Sequence, residues 1–240
     1  PVVHLVHGLP GVGKSFVIQT NRELFDDIMH WTIGREYNIA ALQAVMAVNL
    51  GGETLHHSTG LNPFADAETA ESRRISGDKL AKRWLHARWL IIDEISMVSA
   101  GLLGMVDERL RSAIRERGTW KLDDQKRERS FGGLNVILLG EFFQLDPPEG
   151  VSLAAVPKDF LDLNGSVARI GVVEHGQHLM WGKSSFSVQG VSELTEPMRC
   201  LDAWYNEFLL LCRNMCLTQN NWSFIHGLET TVPGRWLGSR

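Results

Sequence analysis

Long apolar runs are missing from this chain. Its uninterrupted apolar segments, such as Trp89 to Ile92 and Val136 to Leu139, fall far short of the ~20 residues that cross a bilayer, so a soluble chain without a membrane partner is expected. Cysteine is scarce as well. Cys200, Cys212 and Cys216 are the only three, too few and too clustered for a disulfide framework, and a reducing compartment is the natural setting. Cys212 and Cys216, with His226 downstream, lack a fourth ligand for tetrahedral zinc, and the three are read as core cysteines. Charge of one sign is lacking too: the net charge is −4 with the nine His neutral, which gives no global attraction to a polyanion. Two basic stretches run through Arg73, Arg74, Lys79, Lys82, Arg83 and Arg88 and from Arg109 to Arg129. Both are interleaved with acids such as Asp78, Asp107 and Glu128, and they read as solvated helix faces. There is no internal repeat, no low-complexity segment and no signal peptide. The chain opens on Pro1 and a strand-like run, which leaves room for an upstream segment.

What is present is the composition of an ordinary globular protein, 44% hydrophobic and 22% charged over 240 residues, enough for one large α/β domain with an appendage. Val2 to Val6 is a β-prone run ending in a glycine-rich turn, and Ser15 to Glu23 follows as a helix. Ile39 to Val48 is apolar and runs into Gly51-Gly52, with Thr54-Leu55-His56 as a short strand. From Asn62-Pro63 the chain is polar, and Asp66 to Lys82 is expected to be exposed and partly helical. Leu90 to Ile92 and Val136 to Leu139 read as strands buried in a parallel sheet, and Leu102 to Arg117 reads as a helix. Strands alternating with helices predict a parallel sheet covered by helices on both faces. The expected division is a core over 1–150, a less regular insertion or peripheral subdomain over 151–191, and a closing segment over 192–240. In that segment Trp204, Phe208, Leu211, Cys212 and Met215 recur at helical spacing.

Two motifs carry chemistry. The segment Gly8, Leu9, Pro10, Gly11, Val12, Gly13, Lys14, Ser15 matches the phosphate-binding loop pattern and lies between a strand and a helix. Glycines at 8, 11 and 13 let backbone N–H groups turn toward phosphate oxygens, and the following helix contributes the positive end of its dipole. Lys14 would reach the β- and γ-phosphates, and the Ser15 hydroxyl would coordinate Mg2+. The alternative is a glycine-rich turn that binds nothing. The second motif, Leu90 to Glu94, ends an apolar strand on two carboxylates. Asp93 would hold magnesium and Glu94 would polarise the attacking water, against the alternative of a solvated acidic turn. No Asn-Lys-x-Asp or Thr-Lys-x-Asp sequence occurs, so ATP is favoured over GTP.

The order of motifs resembles the Pif-one-like branch of superfamily-one DNA helicases, relatives of RecD and of helitron-type mobile elements. The similar segments are GLPGVGKS (8–15), ALQAVMAVNLGGETLHH (41–57), LIIDEISMVS (90–99), FGGLNVILLGEFFQLDPP (131–148) and LTEPMR (194–199), which together span most of the chain. The resemblance implies a RecA-like P-loop NTPase fold and an ATP-dependent, 5′-to-3′ DNA helicase acting in DNA repair, recombination and telomere maintenance, in nucleus or mitochondrion. It implies that Gln144 senses the γ-phosphate, that Arg199 stabilises transition-state charge, and that Thr54 and His56, beside the glycine pair, contact single-stranded DNA. The sequence departs from the family pattern at Leu42-Gln43-Ala44, Met46, Glu141 (where Asp is usual) and Asp146. It shows no counterpart of the later motifs of a second motor domain, which would come in cis or from an unknown partner, so these 240 residues alone are not expected to unwind a duplex. The competing expectations are an ATP-binding switch or interaction module, as a degenerate mobile-element remnant would be, and a small-molecule kinase.

Overall fold

The structure is a computed structural model that describes residues 2–61, 77–115, 122–155, 171–183 and 187–227. Arg73, Arg74, Arg117, Lys121 and most of the polar segment 66–82 lie outside them. The chain divides into two compact units, one holding the residues up to Gly8 with Lys14–Leu194, the other Leu9–Gly13 with the residues from Thr195 onward.

The first unit is built on six strands: β1 (Val3–Gly8), β2 (Tyr37–Ala41), β3 (Glu53–Thr54), β4 (Trp89–Asp93), β5 (Asn135–Gly140) and β6 (Gly190–Leu194). They form one sheet in the order β3-β2-β4-β5-β1-β6, and every pairing is parallel. The period-2 alternation of a strand sends neighbouring residues to opposite faces, and two cores result. Leu5, Leu90, Ile92 and Leu138 join one, while Val6, Ile91 and Leu139 join the other. Leu90, Ile91 and Ile92 are fully buried, each worth roughly 1.5–3 kcal/mol of transfer free energy.

Helices cover both faces, as the alternating pattern predicted. On one side α1 (Lys14–Glu23) continues into a single π-helical turn at Leu24–Ile28, and Ile18 and Phe25 pack there against Tyr37 and Ile39. The other side carries α3 (Leu55–Thr59), α4 (Gly77–Trp84), α5 (Ala100–Arg115) and α6 (Val172–Trp181), with α2 (Ala44–Asn49) between β2 and β3. Leu55, Trp84, Leu103, Leu110 and Leu179 belong to that second core. Thr54-Leu55-His56 is strand only as far as Thr54; Leu55 and His56 start α3.

Three expectations are corrected. Part of the stretch read as irregular forms α6, which buries Leu179 and Met180. It approaches α5 so closely that a Cβ on Gly176 would lie 1.8 Å from the Ala100 carbonyl oxygen. The basic stretch around Asp107 is not wholly a solvated face: Asp107 is fully buried, accepting from the Phe131 N–H at 2.5 Å and Arg111 Nε at 2.6 Å and standing 2.7 Å from His175 Nε2. Lys79, Lys82 and Arg88, by contrast, are exposed. The third correction concerns the cysteines, which are not core residues: Cys200 and Cys212 are half-buried and Cys216 is exposed.

The second unit contains α7 (Ala203–Arg213) and α8 (Gln219–Ile225). Asp202 caps α7 by accepting from the Tyr205 N–H, and Thr218 with Asn221 forms a capping box on α8. Trp204 packs on Phe224 with ring centroids 4.1 Å apart and stacks on Phe208. Trp204, Phe208, Leu211 and Cys212 share α7 as the helical spacing implied, whereas Met215 lies beyond the helix and is exposed. No helix among the described residues is long and apolar enough to cross a membrane.

Candidate functional site

In a parallel sheet every strand delivers its carboxyl end to the same edge, and that edge is where such folds bind ligands. Here β1 leads through Gly8 into the loop before Lys14, β4 ends at Asp93, and β5 ends at Gly140 and leads to Glu141 and Gln144. The three strands are contiguous in the order β4-β5-β1. Lys14, Ser15, Asp93, Glu94 and Gln144, widely separated in sequence, therefore leave one edge of one sheet.

Gly11 and Gly13 have φ of +82° and +97°, in the left-handed region that costs a side-chain-bearing residue about 1–2 kcal/mol. Lys14 begins α1, is buried, and its Nζ donates to the Gly8 carbonyl at 2.6 Å, tying together the two ends of the loop. Ser15 is exposed. Within the second unit, the Gly11 carbonyl accepts from the Met198 and Arg199 N–H groups at 2.8 and 3.0 Å, and a Cβ on Gly11 would meet the Arg199 Cβ at 2.8 Å. Arg199 is thus fixed at its backbone while its side chain is exposed.

Asp93 is buried. Burial pushes its carboxyl up to about 6, and the Glu94 charge adds to this; the Glu94 N–H bond and the Lys14 ammonium pull the other way. Asp93 thus feels the charges of both Glu94 and Lys14. Glu94 itself sits at φ 52°, ψ 49°, a left-handed conformation that costs a non-glycine residue of order 1–3 kcal/mol and recurs where function dictates backbone geometry. Because folded Asp93 holds its proton up to about pH 6 whereas its ordinary value is 3.8, the folded state binds more protons between those limits. The stability this group contributes is therefore complete below about pH 4 and is lost as pH rises through 6. Asp93→Asn is expected to stabilise the metal-free protein at pH 7 by about 1–3 kcal/mol and to flatten that pH dependence. Urea unfolding in the presence of a chelator measures it, and a less stable Asn variant at pH 7 would refute burial as the cause.

Gln144 is exposed. Its N–H donates to the Glu141 carbonyl at 3.1 Å, and its side chain makes no hydrogen bond among the described residues. Sequence reasoning noted Glu141 only as a departure and passed over His7. The structure makes them a pair, with His7 Nε2 3.3 Å from Glu141 Oε1 and the carboxylate buried at 1% exposure. The signal available in the sequence was a histidine directly before the first loop glycine.

Thr54 ends β3 in register with Ala41, whose partner on the other side is Asp93, and His56 follows in the first turn of α3. Thr54 Oγ1 accepts from the His57 N–H at 3.2 Å as the helix cap, and His56 is half-buried with its imidazole held below the usual value by burial. Gly52 is needed where it stands: a Cβ there would lie 2.2 Å from the Ile39 carbonyl oxygen.

Comparison with known proteins follows the same lines. The chain is 32% identical over 142 residues to the ATP-dependent DNA helicase RRM3 of Saccharomyces cerevisiae, covering 58% of this chain and 18% of that protein. It is 35% identical over 141 residues to the ATP-dependent DNA helicase Pif1 of Bdellovibrio bacteriovorus, 58% of this chain and 28% of that one. Among solved structures, Pif1 helicase from Bacteroides in complex with ADP-AlF3 and single-stranded DNA aligns over 98% of this chain and 48% of that chain, with a TM-score of 0.62 and 22% identity. Pif1 helicase from Candida albicans aligns over 92% and 42%, with a TM-score of 0.62 and 24% identity. The chain thus spans less than a third of these two curated relatives and under half of these two solved chains, and the likeness of the latter establishes a RecA-like P-loop α/β fold. The family model for PIF1-like helicases matches residues 1–152, well over half of the sequence, and the chain belongs to the PIF1-like helicase family.

Proposed function

We propose that this chain is the first motor domain of an ATP-dependent DNA helicase, binding ATP with magnesium and hydrolysing it in response to single-stranded DNA. The observation that carries the reading is the strand order β4-β5-β1, which brings Lys14, Asp93 and Glu94 to one sheet edge, downstream of a loop in which Gly11 and Gly13 adopt positive φ. Lys14 supplies a cation to the β- and γ-phosphates, and the loop amides and the start of α1 supply donors. The Ser15 hydroxyl and the Asp93 carboxylate are hard oxygen donors of the kind magnesium takes, and that ion would neutralise phosphate charge when bound. Glu94 orients the attacking water and takes its proton. Gln144 reads the γ-phosphate through its neutral amide, and the Arg199 guanidinium offers bidentate donors to the phosphoryl group. Thr54, whose hydroxyl hydrogen is left to donate after the oxygen caps α3, and His56, neutral and half-buried, suit a strand-contacting role in which an imidazole stacks or hydrogen-bonds. A 5′-to-3′ polarity and service in DNA repair, recombination and telomere maintenance, in nucleus or mitochondrion, go with this reading.

The test is ATP turnover with and without an oligodeoxythymidylate. Turnover is expected to rise severalfold with DNA. A chain that binds Mg-ATP yet shows no DNA response would instead be an ATP-binding switch.

A further inference from the structure

A buried carboxylate is costly unless its lone pairs are matched, and Glu141 is buried with partners on both sides of its turn. Glu141 Oε1 accepts from the Phe143 N–H at 3.1 Å and lies 3.3 Å from His7 Nε2, while the Glu141 carbonyl accepts from the Gln144 N–H at 3.1 Å. One residue therefore closes the turn 141–144 and ties it to β1. His7 is the last residue before Gly8, and its register partner is Gly140, so the tie runs between the strand that enters the phosphate loop and the strand that carries Gln144. The turn is also held from the other side. A Cβ on Gly140 would meet Ile95 Cγ2 at 2.8 Å and the Ile95 nitrogen at 3.0 Å, which seats the end of β5 on the residue following Glu94. At the end of this anchored turn Gln144 is exposed, and its side chain makes no hydrogen bond among the described residues.

We propose that Glu141, held by His7, is the positioning residue that sets Gln144 at a fixed place relative to the phosphate-loop strand. The inference rests on the role of Gln144 given above. An amide that swings freely gives a poor readout of the γ-phosphate, because ordering it on binding consumes the gain, whereas an amide on a pinned turn contributes its bond in full. Both residues act through Gln144 and neither touches the nucleotide in this account.

The readout is the ratio of affinities for a non-hydrolysable ATP analogue and for ADP, by calorimetry on the 240-residue chain; it isolates γ-phosphate sensing and needs no turnover. Gln144→Ala is expected to lower the ratio about tenfold, what a hydrogen bond to a charged group supplies. Glu141→Ala should lower it to within about twofold of that value with ADP affinity kept, and the double variant should fall no further. His7→Ala should lower it by a smaller factor and His7→Gln, which restores a donor near Nε2, should recover it; this pair decides the matter if Glu141→Ala fails to fold. An unchanged ratio in folded Glu141→Ala, or in His7→Ala, beside a collapsed one in Gln144→Ala overturns the positioning role and leaves the assignment of Gln144 standing. An unchanged ratio in Gln144→Ala removes that assignment and this inference with it. Absence of nucleotide binding by the wild type would overturn both together with the ATP-site reading.

Discussion

Lys14→Ala is expected to weaken Mg-ATP binding at least about a hundredfold, the ~2.7 kcal/mol of two decades in affinity. Three effects add in the same direction. The variant removes the side-chain cation that the phosphate-loop pattern directs at the β- and γ-phosphates, and leaves the acidic pair Asp93 and Glu94 in place. It removes the bond from Nζ to the Gly8 carbonyl, which joins the two ends of the loop, so the amides lose part of their arrangement before any ligand arrives. It also leaves Asp93 without the ammonium that pulls its carboxyl down, so a larger fraction of Asp93 stays protonated near neutrality and is unable to serve a metal. The fold itself should survive, because the Nζ bond to the Gly8 carbonyl is worth about 1 kcal/mol and the Lys14 side chain belongs to neither hydrophobic core of its unit. Titration with a fluorescent ATP analogue, alongside thermal unfolding of both proteins, separates the two effects. Equal affinity of wild type and variant would remove the phosphate-loop assignment.

How much of this was legible in the sequence depends on whether the physics is local. Leu90, Ile91 and Ile92 read correctly because a strand buried on both faces must be continuously apolar, and the succession of strand, loop and helix around Gly8 to Ser15 was legible because the turn is marked locally by its glycines. β6 gave no such signal. It is an edge strand, Gly190–Leu194, whose central residues are exposed, so nothing in Val191, Ser192 or Glu193 needs to be apolar, and its place is set by β1, over 180 residues away. α6 was hidden for a different reason. Gly176 weakens helix propensity by ~1 kcal/mol, yet the contact with Ala100 tolerates nothing larger. Asp107 looked like one acid in a charged run, and only the fold brings Phe131 and His175 to it. The site was legible as residue types and not as a geometry: Asp93 and Glu94 stood out as a strand-end pair, while the turn that presents Gln144 depends on His7, which no short motif includes.

Glu94→Gln is expected to keep Mg-ATP binding within about twofold while lowering DNA-stimulated turnover by a factor of ~10²–10³, the range that loss of a positioned general base gives. The amide has nearly the shape of the carboxylate, so the left-handed backbone at Glu94 and the packing of Ile95 beneath Gly140 remain. What changes is acid–base chemistry, because an amide does not accept the proton that leaves water as the phosphoryl group is attacked. Asp93 provides an internal contrast. Its carboxyl is buried and raised to about 6, which suits a group whose charge a cation will match. Glu94, half-buried and one residue further along the strand end, suits a group that must meet water. Replacing Glu94 also removes a negative neighbour of Asp93, one of the influences that raise the Asp93 carboxyl, so metal and nucleotide binding should hold or tighten slightly. The two positions are thereby separable in one set of measurements: Asp93→Asn should lose the magnesium dependence of binding, and Glu94→Gln should lose turnover alone. A Glu94→Gln protein that hydrolyses ATP at the wild-type rate would move the base elsewhere on this sheet edge. A variant that loses affinity and turnover by the same factor would make Glu94 a binding group instead.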